Sequence, residues 1–339
     1  MPILLAMEGA VSQGVLWGLM TLGVYLTFRI LNVADMTVDG SFATGGALSA
    51  VLITCNIHMN PYLTLLFVFL AGTICGLVTG LMNTKLKINI LLASILTQIA
   101  LYSINIRIMG RANTPLLGNK TMMSILRDLF KKIFHSSKDV ISTTTSSLII
   151  GVVIIAIIIA AMYWFFGTEY GSSIRATGAN ENMVRALGVN TDTTKIIGLM
   201  LSNGMVAMSG ALVAQSQGYA DVGMGTGTIV VGLASIIIGE VIFGSRFGLW
   251  YTLISVVLGS IIYRIIIAIV LQLGLKSTDL KLLTALIVAA SLSVPVFKAK
   301  IDKRRRAYKG PANEIDTSHN ADEYKRSVET ISDSEAVKE

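Results

Sequence analysis

Charge is scarce in this sequence: only 14% of its 339 residues are Asp, Glu, Lys or Arg, against about a quarter in soluble domains. With 53% hydrophobic residues and a mean hydropathy of +0.70, a water-soluble globular chain is excluded and a membrane protein is implied. Cysteine is nearly missing. Cys55 and Cys75 lie in or beside apolar runs without metal-type spacing, which rules out a disulfide framework and leaves the redox compartment open. The three histidines, His58, His135 and His319, are far apart and form no HExxH pair, so no metallo-hydrolase site is written here. The glycine-rich "GMGTGT" lacks the Lys-Ser/Thr that would hold phosphate and magnesium, so the chain carries no nucleotide motor or other cofactor motif of its own. No basic groove interleaved with aromatics points to nucleic acid. The net charge of +7 reads instead as topology and attraction to the lipid surface. Glu8 and the lack of basic residues before the first apolar run argue against a cleaved signal peptide, so the first span is expected to be retained.

Long apolar runs are what the sequence does have. About 20 apolar residues cross the hydrocarbon as a helix, and on that ruler spans fall at 10–28, 40–57, 62–83, 88–109, 148–167, 193–216, 228–243, 248–272 and 280–297. The expected fold is an all-α polytopic bundle of about nine crossings, within a range of eight to ten. Residues 228–243 are short for a crossing and follow "DVGMGTGT", so a broken or re-entrant element is expected there. Residues 298–339 hold 10 basic and 9 acidic residues, which marks a solvated and poorly ordered tail after a 1–297 membrane domain.

Lys and Arg near span ends set the orientation. The basic "KAKIDKRRRAYK" at the start of the tail points to the cytosol. Counting back puts 168–192, 84–88, Arg29 and Arg246 on the same side and the N-terminus outside. The loop 110–147 then lies outside although it carries Arg111, Lys120, Arg127, Lys131, Lys132 and Lys138. Either a span is miscounted or its "SILRDLFKKIF" is an amphipathic external helix with a basic face. The helix is the preferred reading, because a shifted count would put the tail and 168–192 on opposite sides. Gly72, Gly76 and Gly80, and Gly198, Ser202 and Gly210, recur at helix-contact spacing and report close packing.

The inner loop Glu169–Lys195 contains "GANENMVRALGVN", a short helix with Asn180 or Ala179 near its start, Met183, Val184 and Leu187 apolar and Gly188 ending it. Such a helix between two spans suits docking into a groove on a cytosolic partner; a plain connecting loop is the bland alternative. Tyr170-Gly171, Arg175-Ala176, Asn180 and Ala186-Leu187-Gly188-Val189-Asn190 together resemble the coupling loop of bacterial ABC-transporter permeases of the branched-chain amino acid and ribose type. "ILNVADMTVDGSFATGGALS" resembles the junction of that family's first two spans, and "GLASIIIGEVIFGS" its late glycine-rich segment, with Glu240 where a second glycine is usual. The likeness covers about residues 20–297 and is closest to tryptophan/tyrosine-type permeases.

The resemblance implies a homodimeric half-channel in the bacterial cytoplasmic membrane. A separate cytoplasmic ATPase would drive it, and an external solute-binding protein would feed it a small solute such as an amino acid. Arg175, Asn180, Glu181, Asn182, Arg185, Ala186, Leu187 and Gly188 would meet the ATPase. The rival reading is a stand-alone secondary transporter or channel with Asp35 or Glu240 carrying a proton.

Asn32, Asp35 and Asp39 sit in a break between two spans, where a lipid-facing charge costs roughly 2.5–3.5 kcal/mol. Asp35 is therefore expected on the pathway or a gate, in a helix cap, or in an inner loop; Asp39 is expected to cap the span starting at Gly40. A second break, "YADVGMGTGT", repeats the order Ala, Asp, small residues and Gly on the opposite side, and paired breaks mark solute routes in transporters. Gln98 and Asn105, seven apart on one helical face, join Thr97 and Asn203 as further pathway candidates. Hydrogen bonding between helices explains these residues about as well. Glu240 is read as half of a structural ion pair with Arg246 or Arg264.

Overall fold

The computed structural model describes residues 2–54, 59–133, 142–244 and 248–273, together with 282, 284–289 and 293. The helices are α1 (Pro2–Tyr25, extended by a π-helical turn Leu26–Ile30), α2 (Thr37–Thr54), α3 (Pro61–Thr84), α4 (Ile90–Met109), α5 (Met122–Ile133) and α6 (Thr143–Gly167). They continue with α7 (Glu169–Ala179), α8 (Glu181–Ala186), α9 (Thr191–Gln217), α10 (Thr228–Phe243) and α11 (Leu249–Gln272). Two three-residue strands, β1 (Asn113–Pro115) and β2 (Tyr219–Asp221), pair antiparallel.

Among the described residues seven helical segments are long and apolar enough to cross a membrane: Ala6–Ile30, Pro61–Thr84, Ile90–Met109, Thr143–Gly167, Thr191–Gln217, Val222–Phe243 and Leu249–Gln272. The described residues therefore do not confirm the count of nine. The expected span 40–57 is α2, which has the same length of 18 residues but starts at Thr37 and is less apolar than the seven, burying Thr37, Asp39, Ser41, Thr44 and Ser49. It is an internal helix that need not present a lipid-facing surface. The expected ninth span, 280–297, lies mostly outside the described residues, and the tail from 298 lies wholly outside them.

The core forms where α2 and α9 are wrapped by their neighbours. Small residues let the backbones touch: a Cβ on Gly72 or Gly76 would overlap the carbonyls of Asn203 and Leu199, so α3 lies directly against α9. Buried hydroxyls satisfy neighbouring backbones, with Ser202 donating to the Gly23 carbonyl at 2.8 Å, Ser209 to Leu16 at 2.8 Å and Ser260 to Gly14 at 2.7 Å. Leu16, Leu19, Met20, Phe42 and Val206 fill the space between them.

The connections fall into two sets. The strand pairing joins the loop after α4 to the one after α9, and Thr145 donates to Glu8 at the same end. Arg29 meets Glu240, and Lys87 lies 3.7 Å from Asp192, at the other. These are the same sets that the Lys/Arg count produces. The segment "SILRDLFKKIF" falls largely in α5, which is amphipathic: it buries Met122 and Met123 and exposes Asp128, Leu129 and Lys132.

Candidate functional site

The two breaks converge on one place. After the π-helical turn the chain leaves helical geometry, with exposed Asn32 in the left-handed region (φ 56°), and runs non-helically until α2 starts at Thr37. Asp35 accepts the Thr37 N–H at 2.9 Å and the Asn203 amide at 2.7 Å. Asn203 lies midway along the 27-residue α9, so α2 begins inside the bundle rather than at its end. The Asn203 carbonyl oxygen accepts from Ser41 at 2.6 Å, and Thr37, Thr79 and Thr97 form a buried hydroxyl chain at 2.7 and 3.0 Å.

The second break, β2 followed by the 3₁₀ turn Val222–Gly225, leads from the far end of α9 to α10. Asp39 receives that helix. Its carboxylate accepts the Gly227 and Ile229 N–H groups, each at 2.9 Å, and the Thr228 hydroxyl at 2.7 Å, with the Gln98 amide at 3.5 Å. Each helix N-terminus leaves unpaired N–H groups and a partial positive charge. Two carboxylates, one for each helix start, are how this apolar chain affords them at depth. Asp39 is thus not the cap of its own helix: it lies in the first turn of α2, which starts earlier than expected, and it caps α10 instead.

A cavity of about 330 Å³ opens between α2, α4 and the 3₁₀ turn, lined by Asp39, Gln98, Tyr102, Ser103, Asn105 and Thr226. Gln98 and Asn105 share its α4 wall. Asn105 is fully buried, and neither its amide nitrogen nor its oxygen has a hydrogen-bond partner among the described residues. Of the other pathway candidates, Asp35 and Asn203 are bonded to each other within the buried network, and Asn32 is exposed at the start of the first break. Tyr102, Ser103 and Thr226 escaped the sequence reading. Ordinary residues in a span or a glycine-rich loop signal nothing until the loop folds back onto α4.

Glu240 forms an ion pair, and among the described residues its partner is Arg29 and not Arg264. Arg29 reaches it at 2.5 and 2.8 Å. Arg264 instead stacks on Trp17, with its guanidinium carbon 3.9 Å from the ring centroid, and Arg246 lies outside the described residues.

At the end holding Arg29, Thr168 caps α7 and Asn180 caps α8, accepting the Met183 N–H at 3.1 Å. The helix ends at Ala186, and Gly188 turns the chain away from it with φ +83°. Val184 turns inward, while Met183 and Leu187 are 49% and 73% exposed. Arg175, Asn182, Arg185, Ala186 and Gly188 are exposed as well. Glu181 is committed within the chain, accepting from Lys195 at 2.7 Å and Arg185 at 3.0 Å, and the Lys195 hydrogen bond holds its carboxyl below the ordinary glutamate range. It anchors α8 to the start of α9 rather than standing free for a partner.

Residues 6–291 match the family model described as branched-chain amino acid transport system / permease component. A tyrosine transport system permease protein of Clostridioides difficile is 38% identical over 290 residues, 85% of this chain and 91% of the relative. A probable branched-chain amino acid transport permease protein of Methanocaldococcus jannaschii is 24% identical over 254 residues, covering 71% and 74% of the two chains. An autoinducer 2 import system permease protein of Yersinia pseudotuberculosis is 26% identical over 285 residues, covering 84% and 74%. No solved structure matches the chain.

Proposed function

The chain belongs to the family of branched-chain amino acid transport system permease components, multi-pass subunits of ABC transporters, and from that premise we propose that α8 is the lever through which a separate cytoplasmic ATPase drives solute import. The observation that carries this reading is the shape of α8. Met183 and Leu187 project from a helix pinned behind by Glu181 to Lys195 and by buried Val184. A rigid backing with an exposed apolar front suits seating in a partner's groove, and Arg175 and Arg185 add charge at its rim.

In this reading two copies line the path across a bacterial cytoplasmic membrane, and the end bearing α7 and α8 faces the cytosol. The solute is an amino acid, which the names of the relatives support. It passes near Asn32, Asp35, Gln98, Asn105 and Asn203, delivered by a binding protein that docks on the basic segment 110–147. Lys132→Glu tests the docking step by its effect on delivery at low salt.

The central experiment is Leu187→Glu in the transporter assembled with the ATPase and binding protein encoded beside it. Because Leu187 is 73% exposed, the permease should keep its thermal stability. Uptake of labelled amino acid and solute-stimulated ATP hydrolysis should both be lost; undiminished coupling in this variant would overturn the assignment.

A further inference from the structure

The cavity between α2, α4 and the 3₁₀ turn is chemically one-sided. Asp39 is in its wall, and Asp221 stands beside it, accepting the N–H of wall residue Gly223 at 2.7 Å. Among the described residues no Lys or Arg lines it. The four acceptor positions of Asp39 are taken by Gly227, Thr228, Ile229 and Gln98, so its charge acts on the cavity as a field and not as a free ligand. The Asn105 amide is uncommitted, fully buried with neither of its polar atoms partnered among the described residues. Leaving such atoms unpaired is unfavourable, and a polar group entering the cavity would relieve it.

We propose that this cavity is a subsite for the ammonium group of the solute, in which the Asn105 amide oxygen accepts from the ammonium and the aspartates exclude anions. The proposal rests on the reading of the chain as a solute permease. It assigns Asn105 as a specificity-determining residue and gives the second break a task, since the 3₁₀ turn forms the wall opposite α4.

The test uses the full chain in cells with Cys55→Ser and Cys75→Ala, and Ser103→Cys as a reporter in the cavity wall. A quaternary-ammonium thiosulfonate and a sulfonate thiosulfonate are compared, each normalised to its rate with a small thiol in solution. The ammonium reagent should react roughly tenfold faster, the scale expected of one nearby carboxylate at protein-like dielectric. Isoamylamine should slow the modification and isocaproate should not. Adding Asn105→Leu should abolish protection by isoamylamine while leaving the thiol reactive.

Equal rates for the two reagents, protection by isocaproate, or reaction only with a lipophilic maleimide would each overturn the proposal, the last by showing a lipid-facing surface. The solute reading fails separately. A transporter that takes up no amino acid but keeps the ammonium preference loses that reading and retains this site.

Discussion

The carboxylate of Asp39 accepts the N–H of Ile229 at 2.9 Å, so a residue in the first turn of one helix closes the start of another 190 positions away. The two broken segments are thereby one mechanical unit. Whatever moves α10 must either carry α2 with it or break this contact, and breaking it leaves the donors of α10 unpaired inside the protein.

Asp39→Ala is therefore expected to lose more than a surface cap would. Removing an N-cap costs about 1 kcal/mol, and the buried donors stranded by the change add about 1–3 kcal/mol. Thr228→Ala, which removes one of the donors to Asp39, should cost less. Thermal unfolding of the purified chain in a single detergent orders the two variants. An Asp39→Ala protein as stable as wild type would show that the contact carries no weight.

Arg29 and Glu240 hold the opposite end of α10, but under different conditions. The Arg29 side chain is 55% exposed against 17% for Glu240, so solvent screening keeps the coupling below about 1 kcal/mol. A double-mutant cycle with Arg29→Met and Glu240→Gln should return a small favourable coupling. Glu240→Gln alone should leave uptake intact, as a structural pair requires; abolished transport with normal stability would instead make Glu240 a proton carrier.

What the sequence disclosed follows from which forces act locally. Lipid demands unbroken apolar stretches, so α3, α4, α6, α9 and α11 could be placed from composition alone, and Lys/Arg positions sorted the connections by end. The cap on α8 was legible too, because Asn180 and the N–H it accepts are three residues apart. Asp39 misled for the complementary reason. "TVDGS" has the look of a local cap, and nothing near it reveals a partner after residue 226. Arg29 and Glu240, 211 positions apart, are the same case. The start of α2 was expected three residues late, at Gly40 rather than Thr37, because the helix begins inside the bundle, where Asp35 accepts the Thr37 N–H in place of water.

Glu181 predicts how α8 responds to acid. Its folded-state carboxyl titrates below the ordinary value of about 4.3, chiefly because Lys195 donates to it. The stabilisation is present above that ordinary value and is lost as pH falls through the lower folded one. Hydrogen exchange of the α8 amides should accelerate across this acidic window in the wild type. In Glu181→Gln the amides should already be faster at neutral pH and show little further change; identical profiles would remove Glu181 as the anchor.

Close packing of α3 on α9 predicts an asymmetric response to single methyl groups. Gly72→Ala places a Cβ against the Asn203 carbonyl, whereas a Cβ on Gly9 meets nothing within 4 Å. Overpacking of this kind costs about 1–3 kcal/mol. A lowered Tm for Gly72→Ala beside an unchanged one for Gly9→Ala is the expected result. Equal behaviour would mean that α3 is free to shift off α9.

The Asp35–Asn203 pair offers the most discriminating test of the buried network. In the wild type the Asn203 amide nitrogen donates to Asp35 while its oxygen accepts from Ser41. Asp35→Asn keeps an acceptor for the Thr37 N–H but turns a second amide nitrogen toward Asn203. If Asn203 flips to accept it, the Ser41 hydroxyl loses its acceptor, so either arrangement leaves a buried polar group unmatched, at about 1–3 kcal/mol. Asn203→Asp alone should be worse, because two carboxylates then face each other. The exchange Asp35→Asn with Asn203→Asp restores the bond between the two positions, since the new amide donates to the new carboxylate, which still accepts from Ser41. What it gives up is the bond from the Asn203 amide to the Leu199 carbonyl at 3.0 Å, a bond that Asn203→Asp alone loses as well. The double variant should therefore unfold at a higher temperature than either single one. Additive losses in the double variant would mean that Asp35 is held by its charge and not by this pattern of donors and acceptors.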